Sequence, residues 1–433
     1  MSTSAHAARI VRRTGFGATA AELAAVHRMS TGQVIDAVLT PASHVDRQAA
    51  TPPTPSFELL KRVPRSASLQ DRARWRMELR AQLKQLTAWW VRRMIQTDRP
   101  AQEKLTLVWH DHFATAATKV RSARLLLAQN TTLREKGLGD FRALAYAMLT
   151  DPAMLVWLDG RRNTAAAPNE NLSREFMELF ALGRGGYTET DVREGARALT
   201  GWKVGVDGAA VFREAAHDHG SKTVLGRSGD LDAAAFCDAV LARPASARFV
   251  ATRLWHQLAS PDGPTPALLE RLVGAYGPGR DLGALVRALL ESAEFADAAG
   301  ALVVSPVEWV VGAVRALAVG IADDQAVRPL LGVLRSLGQV PFYPPSVAGW
   351  PSGQAWLSTA SVSTRLAAAR SLASAADLSF LTALRQSSRV EAVADRLGIP
   401  ALTDRSAQVL GDVAAAPLRL VTLALNTPEY LTQ

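Results

Sequence analysis

The sequence predicts an all-α protein, a large multi-helix bundle with a small irregular or hairpin insert near 203–227. Three observations support this fold class. Apolar residues recur at helical spacing over most of the 433 residues. Capping residues and glycine stops border many of these segments. Alternation of the kind that strands show is scarce outside the insert. We therefore expect one helical domain over 1–433, with most motif residues in 1–200 and further helices in 228–433.

The predicted helices follow one another with short connections. Pro100 stands where a first-turn proline belongs, Thr188 with Asp191 has the form of a cap and a first-turn acid, and Gly183 and Gly201 are stop signals. The Asp-Gly pair at 207–208 favours a hairpin turn within the insert. The predicted helices are 19–29, 31–39, 68–97, 101–116, 120–130, 139–149, 169–182, 188–200, 231–242, 244–259, 264–275, 281–291, 305–319, 325–337 and 354–376, with more to the end.

Composition excludes several classes of protein. A hydrophobic content of 48% excludes intrinsic disorder as the main state, and no apolar run is long enough to predict a membrane span. The single cysteine, Cys237, excludes a disulfide framework and a cysteine-rich metal site. Arg12 and Arg13 are followed by Thr-Gly-Phe-Gly and an amphipathic helix rather than by an apolar core, so the sequence predicts no export signal and a cytoplasmic protein.

The formal charge is +9, and the basic excess concentrates in 61–100. This stretch has the pattern of a long helix with an arginine-rich face, which is typical of a solvated surface. An acidic partner or an anionic ligand is the alternative. Nucleic-acid binding by residues 61–99 is possible on charge alone and is the least favoured interpretation.

Three short motifs contain four of the eight histidines or a cluster of acidic residues. The first is Trp-His-Asp-His-Phe at 109–113. The second, Pro-Asn-Glu-Asn-Leu-Ser-Arg-Glu-Phe-Met-Glu-Leu-Phe at 168–180, carries the acids. The third is His-Asp-His-Gly-Ser-Lys at 217–222. On an ideal helix His110 and His112 point about 160° apart, so one helix cannot direct both to one point.

Helical geometry places Glu175 within an apolar arc, with Glu178 at its edge. A carboxylate among apolar neighbours needs an arginine, a hydrogen-bond network or a cation. Imidazole and carboxylate ligands together suit zinc, iron or manganese, and helical bundles hold such metals with inward-facing side chains. The alternative is a buried ion-pair network in which Arg174 neutralises the two glutamates. No nucleophile motif, P-loop or dinucleotide-binding fingerprint is present.

These residues resemble the DUF1800 family of bacterial proteins over nearly the whole chain. The matching segments are 12–17, 109–113, 168–183, 198–202, 217–222 and 347–351. The resemblance implies a mostly helical fold, and it implies a possible partner of a sulfatase-like family, beside which many members are encoded. Many members carry export signals, from which this chain departs. The family's motif residues carry over here, without assigned roles, as Trp109, His110, His112, Asn169, Glu170, Asn171, Arg174, Glu175, Glu178, Trp202, His217, Asp218 and Lys222.

We therefore expect a metal-dependent enzyme, an iron-type oxidoreductase or oxygenase acting on a small anionic or polar substrate. A divalent metal is expected, with iron favoured and zinc or manganese as alternatives. A metal-dependent hydrolase fits the same ligands, and a non-catalytic helical scaffold with buried ion pairs is the third interpretation. The expected metal ligands are His110, His112, Glu175, Glu178 and His217. The residues expected to act on substrate or to support the ligands are Glu170, Arg174, Asp218 and Lys222.

Overall fold

The computed structural model describes residues 3–40, 51–60, 63–64, 66–298, 300 and 302–433. Within these ranges the chain forms 24 α-helices, one π-helix, a few 3₁₀ turns and two two-stranded antiparallel sheets. The protein is therefore mostly α-helical, as the sequence predicts. No helix of the described part is both long and apolar enough to cross a lipid bilayer.

The first half of the chain is helical up to the insert. Its helices are α1 (Thr3–Thr14), α2 (Ala20–Val26), α3 (Thr31–Leu39), α4 (Leu69–Gln96), α5 (Pro100–His112), α6 (Ala117–Val120), α7 (Ala123–Lys136), α8 (Phe141–Leu149), α9 (Pro152–Trp157), α10 (Asn171–Glu175) and α11 (Glu189–Ala198). The π-helix, Phe176–Ala181, continues α10.

The second half consists of the insert and further helices. The strands are β1 (Trp202–Val204), β2 (Ala210–Phe212), β3 (Lys222–Val224) and β4 (Arg227–Gly229). The helices are α12 (Ala233–Leu241), α13 (Pro244–Leu258), α14 (Pro266–Tyr276), α15 (Leu282–Leu290), α16 (Ala293–Asp297), α17 (Pro306–Ala316), α18 (Arg328–Ser336), α19 (Thr359–Ala375), α20 (Ser379–Thr382), α21 (Arg389–Leu397), α22 (Asp404–Asp412), α23 (Pro417–Ala424) and α24 (Pro428–Leu431).

Two apolar clusters form the core, and α5 contributes to both. Leu105, Val108 and Trp109 belong to a cluster that includes α8, the π-helix and α12 to α15. Leu107, on the opposite side of α5, belongs to a cluster that includes α4, α17 and α23. Since both faces of α5 are buried, the motif at 109–113 lies inside the protein rather than on its surface.

The insert forms two hairpins rather than the one that the sequence predicts. In the first, β1 pairs with β2 with Trp202 opposite Phe212, and the Asp-Gly pair at 207–208 lies in the connection as predicted. In the second, β3 pairs with β4 with Lys222 opposite Gly229. Leu225 and Gly226 in its turn both have positive φ, 52° and 88°, which is the backbone of a type I′ turn.

Helix α1 is not predicted from the sequence, because its buried arginines hide the pattern. Arg13 is 1% exposed and donates to the backbone carbonyls of Leu258 and Ala259. A cation on the core-facing side interrupts the apolar stripe by which a helix is recognised. Segment 169–182 also differs, since it becomes a π-helix at Phe176.

Candidate functional site

His110 lies in a closed aromatic environment. It is 1% exposed, and its ring packs near Trp90, Phe342 and Trp350. The backbone N–H of Phe342 donates to its Nε2 at 3.0 Å. The lone pair of Nε2 therefore accepts a backbone hydrogen bond. Burial lowers the pKa of His110 to about 3. His110 is a neutral hydrogen-bond acceptor within the core.

His112 is buried as well, with its Nε2 2.9 Å from the carbonyl oxygen of Phe180. A carbonyl only accepts, so Nε2 carries the hydrogen and donates it. Burial, and secondarily Arg253, lower the pKa of His112 to about 3. Its Nδ1 has no partner in the described part of the chain. The hydrogen bond from His112 Nε2 to the Phe180 carbonyl connects the end of α5 to the π-helix.

The acidic motif at 170–178 forms separate ion pairs. Arg174 donates to Glu170 at 2.9 Å and to Glu189. Glu178 accepts from Arg184 at 2.8 Å and from the Tyr187 hydroxyl. Hydrogen bonds from these two side chains lower the pKa of Glu178. The ion pairs of Arg174 and of Glu178 are both partly exposed. They are therefore surface networks, and not the buried ion-pair network that was the alternative prediction.

Glu175 is half-buried rather than within an apolar arc. The structure gives its carboxylate no hydrogen bond or ion pair within the described residues, and burial followed by the charge of Glu178 raises its pKa. The helical-wheel prediction fails because it assumes 100° per residue through 182. The π-helix after Glu175 adds residues per turn and rotates Glu178, Leu179 and Leu182 relative to it.

The third motif lies in the loop between the 3₁₀ turn Glu214–Ala216 and β3. Asp218 accepts from the guanidinium of Arg197, chiefly at 2.7 Å, and this hydrogen bond lowers the pKa of Asp218. Lys222, whose side chain is fully buried, donates to Asp230 Oδ1 at 2.7 Å and to the backbone carbonyl of Asp218. These contacts hold the loop against α11 and β4.

His217 has the hydrogen-bond arrangement of a metal-binding histidine. Its Nδ1 lies 3.0 Å from the carbonyl oxygen of Thr200 and 3.1 Å from the Thr200 hydroxyl. The Thr200 hydroxyl donates its hydrogen to the carbonyl of Arg197. Both Thr200 oxygens can therefore only accept from His217, so Nδ1 of His217 carries the hydrogen and donates it. In the neutral ring Nε2 then carries the lone pair, which is also the arrangement of histidines that bind metals through Nε2.

His217 Nε2 faces His219 and Asp230. It lies 3.8 Å from Asp230 Oδ1, too far for a hydrogen bond, while His219 Nδ1 lies 3.1 Å from Asp230 Oδ2. The two imidazole rings are 5.0 Å apart and nearly perpendicular. Ligand atoms of these three residues all lie within 4.8 Å of one another, and among the described residues no other histidine, cysteine or carboxylate forms such a group of three.

The Asp230 carboxylate is ionised, and Lys222 Nζ donates to the same Oδ1 that faces His217. Hydrogen bonds from Lys222 and His219 lower the pKa of Asp230 to about 2, so its carboxylate is ionised at neutral pH. His217 is buried, whereas the side chains of His219 and Asp230 are about half exposed. The group therefore has one wall in the protein and one side open to solvent.

The structure thus brings together only part of the predicted set. Of the five expected metal ligands, His217 belongs to the group, and His110, His112, Glu175 and Glu178 do not. Of the four other expected residues, Asp218 and Lys222 adjoin the group, whereas Glu170 and Arg174 form the separate pair described above. His219 lies in the third motif, but the sequence left open whether it joins the site; Asp230 was missed. One signal was available, since residues two apart on an extended segment lie on one side of the chain.

Comparison with known proteins identifies the chain's family without giving an activity. No curated protein and no solved structure matches it. The family described as "Protein of unknown function (DUF1800)" matches residues 9–432, nearly the entire length. The chain therefore belongs to the DUF1800 family.

Proposed function

We propose that the protein is a metal-dependent enzyme with its centre at His217, His219 and Asp230. The observation that carries the proposal is the fixed tautomer of His217, which turns the Nε2 lone pair toward an ionised carboxylate. In this proposal a divalent metal binds the Nε2 lone pair of His217 and the carboxylate of Asp230, and it takes His219 as a third ligand.

Two histidines and one carboxylate form the donor set of non-haem iron(II) oxygenases. Such a set occupies one side of the ion and leaves positions for substrate and oxygen. The solvent-exposed sides of His219 and Asp230 support this arrangement. We therefore favour iron-dependent oxidoreduction over metal-dependent hydrolysis, for which the same residues provide ligands.

The residues around the group have distinct roles in this proposal. Thr200 orients the His217 ring, and Lys222 holds Asp230 ionised. The Lys222 side chain has no exposed surface, so it positions the carboxylate rather than touching a substrate. The metal supplies the redox chemistry when it is bound.

Oxygen consumption tests the proposal and separates it from hydrolysis. Protein loaded anaerobically with iron(II) and desalted is mixed with ascorbate and oxygen. Ascorbate supplies two electrons and one proton, the solvent supplies a second proton, and oxygen is reduced to hydrogen peroxide. We expect iron-loaded wild type to exceed the zinc-loaded protein in rate at least tenfold, a barrier difference of about 1.4 kcal/mol.

The ligand variants His219→Ala and Asp230→Asn should fall to the zinc-loaded rate, while His27→Ala, an exposed histidine outside the group, should match wild type. Equal rates for wild type and Asp230→Asn would contradict a redox centre at this group. Retained iron without oxygen consumption would leave hydrolysis as the chemistry and overturn the oxidoreductase proposal.

A further inference from the structure

A second site lies in a cavity of about 310 Å³ bordered by α5, α13, the start of α17 and the loop before α19. It shares no residue with the His217–His219–Asp230 group. The loop segment Gly349–Trp350 approaches α5 closely, since the backbone N–H of Trp350 donates to Asp111 Oδ1 at 2.8 Å. Gly349 has φ of +85°, and a Cβ at this position would overlap the Asp111 carboxylate. The cavity wall therefore depends on a glycine at this position.

Arg253 presents unused hydrogen-bond donors at this cavity. Within the described part of the chain its one hydrogen bond is from NH2 to Asp111 Oδ2, at 3.2 Å, and its side chain is 32% exposed. A guanidinium has five N–H donors in a planar fork. Asp111 accepts hydrogen bonds from Trp350 and Gln257. Its carboxylate balances the charge of Arg253 but uses only one of the guanidinium N–H donors. The free donors match the two oxygens of a carboxylate.

The remaining lining favours a flat apolar body beside that carboxylate. Trp350 and Trp356 contribute to the wall, and they are 7% and 5% exposed. The Trp350 indole Nε1 has no acceptor in the described structure. Two further cations line the cavity: Lys104 is paired with Glu308, and Arg13, 1% exposed, donates to the backbone carbonyls of Leu258 and Ala259. Arg253 is therefore the more exposed cation and the one available to a ligand. Indole rings and a guanidinium that line one cavity suit a planar acid.

We propose that this cavity binds a small aromatic monocarboxylate, whose carboxylate pairs with Arg253 and whose ring packs against Trp350 and Trp356. The cavity size is within the range of small-molecule sites. The site is independent of the metal group, so it is either a regulatory site or one that holds a second reactant. In both cases its ligand is recognised by the same chemistry.

Calorimetric titration of the full chain with benzoate, phenylacetate and indole-3-acetate tests the proposal. We expect saturable binding of at least one acid and at least tenfold weaker binding of the corresponding amide, benzamide, phenylacetamide or indole-3-acetamide. Tenfold corresponds to about 1.4 kcal/mol, the size of a charge-assisted hydrogen bond. Phenyl phosphate is included because a guanidinium also binds phosphate, and tighter binding of phenyl phosphate than of every acid would overturn the choice of a carboxylate.

Two substitutions on α13 form the matched comparison. Arg253→Gln should weaken binding of the best acid at least tenfold, while Arg248→Gln, which removes a surface ion pair with Glu270, should leave it within about twofold. Arg253→Lys keeps the charge and loses the fork, so it should lie between them. His219→Ala should retain acid binding, which separates this site from the metal group. No saturable binding of any acid, or equal binding by Arg253→Gln and wild type, would overturn the proposal.

Discussion

At the scale of single residues, burial decides which motif side chains remain free to act. His110 and His112 both have the residue type of a ligand, yet burial keeps both rings neutral. Each ring uses its Nε2 in a hydrogen bond to the backbone. His217 is also buried, but its second nitrogen faces an ionised carboxylate. Residue type and spacing are visible in the sequence, whereas the direction of each nitrogen is set by tertiary partners.

Asp151 gives a residue-scale prediction about pH. It caps α9 by accepting from the backbone N–H of Met154, and it accepts from Gln129. Burial nevertheless raises its pKa to about 7, above the unfolded value of about 3.9. The folded state therefore binds more protons between these values. Its stability contribution is fully present below the unfolded pKa and is lost as pH rises toward 7.

The change Asp151→Asn should remove this dependence and keep the cap, because asparagine caps helices well. From pH 5 to pH 8 the free energy of unfolding of wild type should fall by about 2 kcal/mol relative to that of the variant. Urea unfolding at both pH values measures the difference. Asp140→Asn, at the exposed cap of α8, is the control and should show no such change. An equal pH dependence in wild type and Asp151→Asn would show that Asp151 is ionised in the fold.

At the scale of elements, α11 positions the loop that carries the histidines. Arg197 on α11 bonds Asp218, Glu194 and the carbonyl of Ser221. Asp218 stands between the two histidines, so its position sets the separation of their rings. The β3–β4 hairpin brings Asp230 to the same loop through the contact with Lys222.

The change Arg197→Met should therefore weaken metal binding although Arg197 is not a ligand. Loss of a residue that orients ligands typically costs 10–100-fold in metal affinity, and we expect a loss of about that size. Arg193→Met, an exposed arginine on the same helix, should bind metal as wild type does. The dissociation constant for zinc, measured against a chelator, tests this. Unchanged affinity in Arg197→Met would show that the loop keeps its shape without α11.

At the scale of the whole molecule, the helical fold is predictable from the sequence because apolar periodicity and caps act locally. The capping box at Thr188 and Asp191 is present as predicted. The π-helix at Phe176–Ala181 is not predictable, since its register depends on packing and on the His112 contact with the Phe180 carbonyl. An ideal helical wheel through this segment placed Glu175 within an apolar arc, whereas in the structure its side chain is half-buried.

The candidate site is predictable only in part for a related reason. His217 stood out by residue type, but Asp230 lies 13 residues away, directly after a hairpin whose turn was not recognised. Asp111 and Arg253 meet across 142 residues of sequence, and only the packing of α5 against α13 brings them together. Contacts of this kind follow from the tertiary fold rather than from local patterns.

The most direct test of the metal centre is a calorimetric titration of metal-free protein with iron(II) under anaerobic conditions. We expect one equivalent bound by wild type and by His27→Ala, and none by His219→Ala or Asp230→Asn at the same concentration. If wild type binds no iron, or if the two ligand variants bind it as wild type does, the group of His217, His219 and Asp230 is not a metal centre.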